Sequence, residues 1–337
     1  MHFRILAGGA LAAFAVVTTF QPATEAAGRA RYDHFLTGNG TNVVPTAATT
    51  PGLVLMGGGT DVDAAFQWQI ARAAGGDFVV IRASGADGYN QYIYDFGGLD
   101  SVETFVIKNR AAAADPTVVT AIRNAEALFI AGGDQADYVN LWKDTPVEEA
   151  IHELIGKGVP TGGTSAGLAI LGEFGFAALN GSITSAQALS NPFDRRLTLV
   201  RDFLTVPRLA GIITDSHFVE RDRMGRFVAF LARILQDGWA PQARGIAIDS
   251  QTAVLVDENG AATVVGTGTA YFMQTPAGGP QICQPKTPLT FRDLSVYRVD
   301  ASGSFNLPPW SGTNGASYQL SAETGALTST QANGSAY

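Results

Sequence analysis

The stretch Val159-Pro160-Thr161-Gly162-Gly163-Thr164-Ser165-Ala166-Gly167-Leu168-Ala169-Ile170 decides how the rest of the chain is read. Val159 to Thr161 reads as the end of a short strand, and the small and apolar residues from Ser165 onward as the start of a helix. Between them stands Gly163-x-Ser165-x-Gly167, the pattern of a nucleophile elbow. Such a turn is so tight that side chains flanking the serine would clash. Glycine relieves the clash and is free to take positive φ. The serine is lifted above the sheet, and the helix N-terminus behind it offers backbone N–H groups to an oxyanion. A Gly/Ser/Thr-rich turn without chemistry is the alternative, and a bare G-x-S-x-G recurs by chance. The strand-turn-helix setting favours catalysis.

Upstream of the elbow, Gly52 to Met56, Phe78 to Ile81, Thr104 to Ile107 and Ala127 to Ala131 read as strands, each a continuous apolar run. Helices are expected from Val62 to about Ala74, Pro116 to Asn124 and about Pro146 to Lys157. Strands without polar alternation, separated by helices, imply an α/β fold with a doubly wound, mostly parallel sheet covered on both faces. Downstream, Ile212 to Asp215 reads as a further strand. Arg221 to Gln236 reads as a helix with Phe227, Phe230, Leu231 and Ile234 on one face. Gly245 to Asp249, Thr252 to Val256 and Ala262 to Val265 are additional C-terminal strands, the last two joined by a turn at Asp257-Glu258-Asn259-Gly260. One domain is thus expected over residues 51–300. Residues 28–50 read as a leader, and 301–337, rich in Gly, Ser, Thr and Ala, as a loosely held tail.

A chain of 337 residues that is 46% hydrophobic can bury a sizeable core. Its formal net charge of −8 argues against nucleic acid or an anionic membrane as the main partner. The single cysteine, Cys283, excludes an intrachain disulfide, and no Cys/His cluster has zinc-site spacing, so neither metal nor cofactor is expected. Residues 1–27 have the layout of a secretory signal peptide: Met1-His2-Phe3-Arg4 is positive, Ile5 to Phe20 apolar, and Gln21 to Ala27 polar and ending in small residues. The apolar run is shorter than the ~20 residues a spanning helix needs. The expectation is a secreted or periplasmic protein with no membrane attachment after cleavage near Ala26 or Ala27. A homodimer is one admissible assembly.

In doubly wound sheets ligands bind outside the carboxyl ends of the strands. Three motifs end strands there: Gly132-Gly133-Asp134-Gln135, Ser165, and Asp215-Ser216-His217. The glycine pair lets backbone N–H groups approach a substrate, so Gly133 and Ala166 are the expected oxyanion donors. An ordinary strand-to-helix turn would read the same way. A serine nucleophile needs a base, most often histidine. Of the four histidines, His2 lies in the signal peptide, His34 in the leader and His152 within a helix before the elbow strand, which leaves His217. Arg221, Arg223 and Arg226 follow it, with Asp222 between the first two. They fit an anionic substrate group, since arginine offers carboxylates a planar fork, and equally a solvated, salt-bridged helix face.

Together these motifs resemble the cyanophycinase-like serine peptidases, a family related to aspartyl dipeptidases. The matching pieces are Gly-Gly-Asp-Gln at 132–135, Gly-Thr-Ser-Ala-Gly at 163–167, Asp215-x-His217-Phe218-x-x-Arg221-x-Arg223-x-x-Arg226, and Gly245-Ile246-x-Ile248-Asp249-x-x-Thr252-Ala253. The resemblance covers about residues 52–275. It implies a class I glutamine-amidotransferase-like, flavodoxin-like fold and a Ser–His nucleophile. It also implies release of β-Asp-Arg dipeptides from cyanophycin, a polymer of aspartate and arginine, with Gln135, Asp215 and the three arginines holding the substrate. The sequence departs from the family pattern at Ser216, where the family has Gln, and at Ser250, where it has the acid that follows the Gly-Ile-x-Ile strand. Asp249, adjacent to Ser250, is taken as the triad acid, with Glu173 and Asp215 as other candidates.

The function expected is therefore a secreted serine exopeptidase acting on aspartyl or β-aspartyl bonds of an aspartate-rich peptide or polymer. An α/β-hydrolase-type esterase shares the elbow, but that fold orders its triad Ser, acid, His, and no histidine follows His217. A non-catalytic binding protein on a decayed peptidase scaffold is the third reading, kept open by the residues at 216 and 250. A glutaminase is disfavoured because those amidotransferases use cysteine where this chain has Ser165.

Overall fold

The computed structural model describes residues 1–2 and 32–337. The expected signal peptide lies, apart from its first two residues, outside the described set. In chain order the first part of the fold is β1 (Asp33–Gly38), β2 (Gly52–Met56), α1 (Asp63–Ile70), β3 (Asp77–Arg82), α2 (Asn90–Tyr94), β4 (Ser101–Val106), α3 (Pro116–Asn124), β5 (Ala127–Ile130), α4 (Gln135–Trp142), α5 (Pro146–Gly156), β6 (Thr161–Thr164) and the single-turn α6 (Ala166–Ala169). Strands β4-β3-β5-β6-β2 lie side by side in that order, all parallel. Alternate residues point to opposite faces, and both faces are covered. In β2, Leu53 and Leu55 pack with Val118, Ile122, Ile151 and Leu154 of α3 and α5. Val54 and Met56 pack with Ala65, Phe66 and Ile70 of α1. Burial on both faces is why these strands read as unbroken apolar runs. The helices start where the sequence supplies caps. Asp115 accepts the Thr117 N–H at 2.9 Å with Pro116 at the first position of α3, and Asp134 accepts the Ala136 N–H at 2.9 Å at the head of α4. Such caps contribute about 1 kcal/mol each.

The second part comprises β7 (Phe174–Phe176), α7 (Ser185–Ser190), β8 (Leu199–Arg201), β9 (Ile212–Asp215), α8 (Met224–Gln236), β10 (Arg244–Ile248), β11 (Thr252–Asp257), β12 (Ala261–Gly266), β13 (Ala270–Gln274), β14 (Phe291–Val299), β15 (Ser304–Asn306), β16 (Ser311–Thr313), β17 (Ala316–Glu323) and β18 (Ala326–Ser329). The sequence leads to one sheet, but the structure has two. A ten-stranded sheet runs β1-β4-β3-β5-β6-β2-β11-β12-β15-β16, and an eight-stranded sheet runs β18-β17-β14-β13-β10-β9-β7-β8. The strand that leads to His217, β9, pairs with β10 and β7 of the second sheet and not with β6. The apolar face of α8, with Phe227, Phe230, Leu231 and Ile234, is buried in the core of this second sheet.

Two further expectations change. Asp33–Gly38, placed in the leader, is the edge strand of the first sheet, antiparallel to β4, with His34 stacked on Phe105 at 4.4 Å. The tail is folded. β17 extends the second sheet through β14, burying Tyr318, Leu320 and Ala322 while Ser317 and Gln319 stay exposed. Beyond it, the Tyr337 hydroxyl accepts the Met224 N–H at 3.0 Å and donates to Asp222 at 2.8 Å.

Candidate active site

The elbow forms at the carboxyl end of β6. Ser165 has φ 52° and ψ −109°, so the serine itself takes the positive φ, and neither Gly163 nor Gly167 does. The glycines are required for space. A Cβ on Gly163 would lie 2.7 Å from the Gly167 carbonyl carbon, and one on Gly167 would overlap the Ile130 carbonyl. The Ser165 N–H is anchored to Met56 O at 3.1 Å. A side chain held at such a backbone position is a strained one that its neighbours over-determine.

His217 is the histidine the structure brings to Ser165, with Nε2 2.9 Å from the Ser165 Oγ. It is 6% exposed and also at positive φ, 44°. Three contacts fix it. Its N–H donates to Gly57 O at 2.8 Å, and the next N–H, on Phe218, donates to Ile248 O at 3.3 Å. Gly58 lies flat against the imidazole, where a Cβ would overlap the ring. The Gly57-Gly58-Gly59 run after β2 is therefore part of the site, and no motif read in the sequence pointed to it. His152 and His34 are engaged elsewhere: His152 Nε2 accepts the Thr205 N–H at 3.0 Å, and His34 pairs with Glu103 at 2.7 Å.

The Gly132-Gly133 turn stands beside Ser165; a Cβ on Gly132 would be 3.6 Å from Ser165 Cβ. Asp134 of that motif is spent on capping α4. Ala166 heads α6, and no acceptor among the described residues is bonded to its N–H or to that of Gly133. Gln135, half-buried at the start of α4, has no side-chain partner among them either.

The acid differs from expectation. The Asp249 carboxylate accepts the Val219 N–H at 3.1 Å and the Thr269 N–H at 3.0 Å, and so ties the His217 loop to the β12–β13 connection instead of meeting the imidazole. Burial holds its carboxyl above the ordinary range, against both amides. Glu173 accepts the Gly211 N–H. What stands at His217 Nδ1 is the Ser250 Oγ, 2.9 Å away. That hydroxyl bonds the Glu220 carboxylate, whose Oε2 is 3.5 Å from Nδ1. Glu220 went unread in the sequence. It follows His217 by three residues, and the positive-φ turn at His217 brings its carboxylate to the ring.

The arginines divide. Asp215 and Arg226 are each 2% exposed and form a bidentate pair, Nε to Oδ2 at 2.8 Å and Nη2 to Oδ1 at 2.5 Å. Arg223 Nη1 adds 3.3 Å to Asp215 Oδ1 and 2.8 Å to Ser216 O. Burial would raise the Asp215 carboxyl, but the two guanidiniums and the Ser216 amide hold it below the ordinary value. Burial pushes Arg223 down to about 10. Asp215, Arg223 and Arg226, expected at the substrate, thus form a buried ion cluster beneath the His217 turn. Arg221 alone is exposed and, among the described residues, in no side-chain hydrogen bond. Burial, with Arg221 and then Arg223, holds the His217 imidazole below its ordinary value against the pull of Glu220. Among the described residues, no group of three His, Cys, Asp or Glu side chains could hold a metal.

The model of peptidase family S51 matches residues 96–264. A cyanophycinase of Nostoc sp. (strain PCC 7120) is 27% identical over 220 residues, spanning 64% of this chain and 68% of that protein. A cyanophycinase of Geminocystis herdmanii (strain PCC 6308) is 28% identical over 182 residues, spanning 54% and 61%. The crystal structure of a peptidase from an acI-B1 Actinobacterium superposes with a TM-score of 0.50 at 20% identity, covering 68% of this chain and 96% of that one, a likeness of fold.

Proposed function

The chain belongs to peptidase family S51, and from that premise we propose that it is a serine exopeptidase cleaving aspartyl or β-aspartyl bonds, as in release of β-Asp-Arg from cyanophycin. The fold class proposed with it is class I glutamine-amidotransferase-like. The observation that supports the reading best is the 2.9 Å contact from Ser165 Oγ to His217 Nε2 on a nucleophile elbow. In the reaction proposed, Ser165 Oγ attacks the scissile carbonyl carbon as its proton passes to Nε2. The N–H groups of Ala166 and Gly133 receive the oxyanion. His217 then protonates the leaving amine, and water, deprotonated by the same nitrogen, releases the acyl group. Arg221 and Gln135 are the groups free to meet a substrate carboxylate and amide, which favours an aspartyl residue at the bond. Export through residues 1–27 is part of the proposal, as is the absence of nucleic-acid, metal and cofactor partners. The test is incubation of purified protein with cyanophycin, β-Asp-Arg and α-aspartyl dipeptides. Turnover of at least one supports the reading, and inertness toward all three would leave it without a substrate class.

A further inference from the structure

We infer that His217 is oriented by a relay, Ser250 to Glu220, in which a hydroxyl and an off-strand glutamate do what a directly bonded acid does elsewhere. This rests on the peptidase reading above and adds to it two residues that reading leaves idle. The number of protons available fixes the tautomer. Ionised Glu220 can only accept, so the bond between it and Ser250 uses the single hydroxyl proton of Ser250. Ser250 then has only lone pairs to offer His217 Nδ1 at 2.9 Å, and the imidazole must donate from Nδ1. Nε2 is left unprotonated toward the Ser165 hydroxyl at 2.9 Å, the tautomer a general base needs. When Nε2 takes the Ser165 proton, the cation formed is held through Ser250 by a carboxylate 3.5 Å from Nδ1.

The surroundings agree. Ser250 stands at 249–251, where the chain leaves β10 of one sheet for β11 of the other, and a Cβ on Gly59 would lie only 3.1 Å from the Ser250 Cβ, so the Gly59 backbone borders the serine closely. The charged groups facing His217 are Glu220, Arg221 and Arg223, the arginines lowering its proton affinity and Glu220 raising it. The bond from Ser250, then that from His217, holds the Glu220 carboxyl below its ordinary value, which keeps it the acceptor. Both are positioning residues, since neither faces the reacting atoms.

The test uses the full chain and a fluorophosphonate, which phosphonylates a serine only when its base works and needs no knowledge of the peptide substrate. Second-order labelling of Ser165 is followed against pH, with the ¹⁵N shifts of the His217 ring recorded alongside. In Glu220→Gln the amide can donate to the Ser250 oxygen, freeing the hydroxyl proton to point at Nδ1 and moving the ring proton to Nε2. Labelling should fall at least tenfold, toward the ~10⁴-fold that a wrong tautomer costs where the acid is bonded directly. The acidic midpoint should move down, and the ¹⁵N pattern should change tautomer, with the denaturation midpoint unchanged because Glu220 is exposed. Ser250→Ala should slow labelling, and Ser250→Thr, which keeps the hydroxyl, should restore it. Glu220→Gln with wild-type rate, midpoint and tautomer overturns the relay alone. A wild-type chain that the reagent leaves unlabelled at Ser165 overturns the relay and the serine-peptidase reading together.

Discussion

Asp215→Asn should destabilise the fold strongly, because it removes one charge and almost no volume from a buried cluster. Asp215 and Arg226 are each 2% exposed, and the aspartate receives both forks of Arg226, at 2.8 and 2.5 Å, and Arg223 at 3.3 Å. The variant strands two guanidiniums away from water. Removing one partner of such a pair costs about 3–5 kcal/mol, where an exposed pair is worth ~0–1. Against a total stability of roughly 5–15 kcal/mol, that is a large fraction. The assay is equilibrium urea denaturation at pH 7, in which the midpoint should fall with the slope unchanged. The effect has a pH signature. Arg226 and Arg223 depress the Asp215 carboxyl below 3.8, so its stabilisation is complete above that pH and fades as pH falls through the lower, folded value. The gap between wild type and variant should therefore narrow in acid. A cost below about 1 kcal/mol, or a raised KM with stability intact, would refute the buried-cluster account and return these residues to the substrate.

Other consequences are checked more simply. Gly58→Ala, at φ 92° with its Cβ directed into the His217 ring, should lower kcat strongly with KM little changed, as read by steady-state kinetics. The acidic limb of kcat/KM should have its midpoint below 6.5, because burial, Arg221 and Arg223 disfavour the imidazolium, and Arg221→Gln should move that midpoint up. Tyr337→Phe removes the hydroxyl that bridges Asp222 and the Met224 amide, and should cost about 1 kcal/mol in thermal or urea denaturation.

What was legible in the sequence was what local sterics dictate. The elbow is decided by two glycines within four residues of each other, so the strand, the turn and Ser165 could be read directly, although the positive φ belongs to the serine. The parallel strands could be read because burial on both faces leaves an unbroken apolar run, as in Gly52–Met56. The division into two sheets could not, since it depends on β9 choosing β10 over β6, a non-local pairing with no signature in either strand. The tail did have a period of two, Tyr318, Leu320 and Ala322 against Ser317, Gln319 and Ser321, but its small and hydroxyl residues masked a strand as low complexity. His217 was reached by elimination, and the structure puts it within hydrogen-bond distance of Ser165. Asp249 misled because adjacency in sequence is not adjacency to the ring. Its carboxylate turns to two backbone amides while Ser250 turns to the imidazole. The arginine motif gave spacing but not burial, and burial separates Arg226 from Arg221.

The central claim is that Ser165 is the nucleophile of a peptidase, and the most direct measurement is peptide turnover by wild type and Ser165→Ala purified side by side. With aspartyl and β-aspartyl substrates, the wild-type chain should release free amine, and the variant should release none while unfolding at the same midpoint, because the flanking glycines and the Met56 anchor that shape the elbow remain. Turnover by Ser165→Ala comparable to wild type would contradict the account.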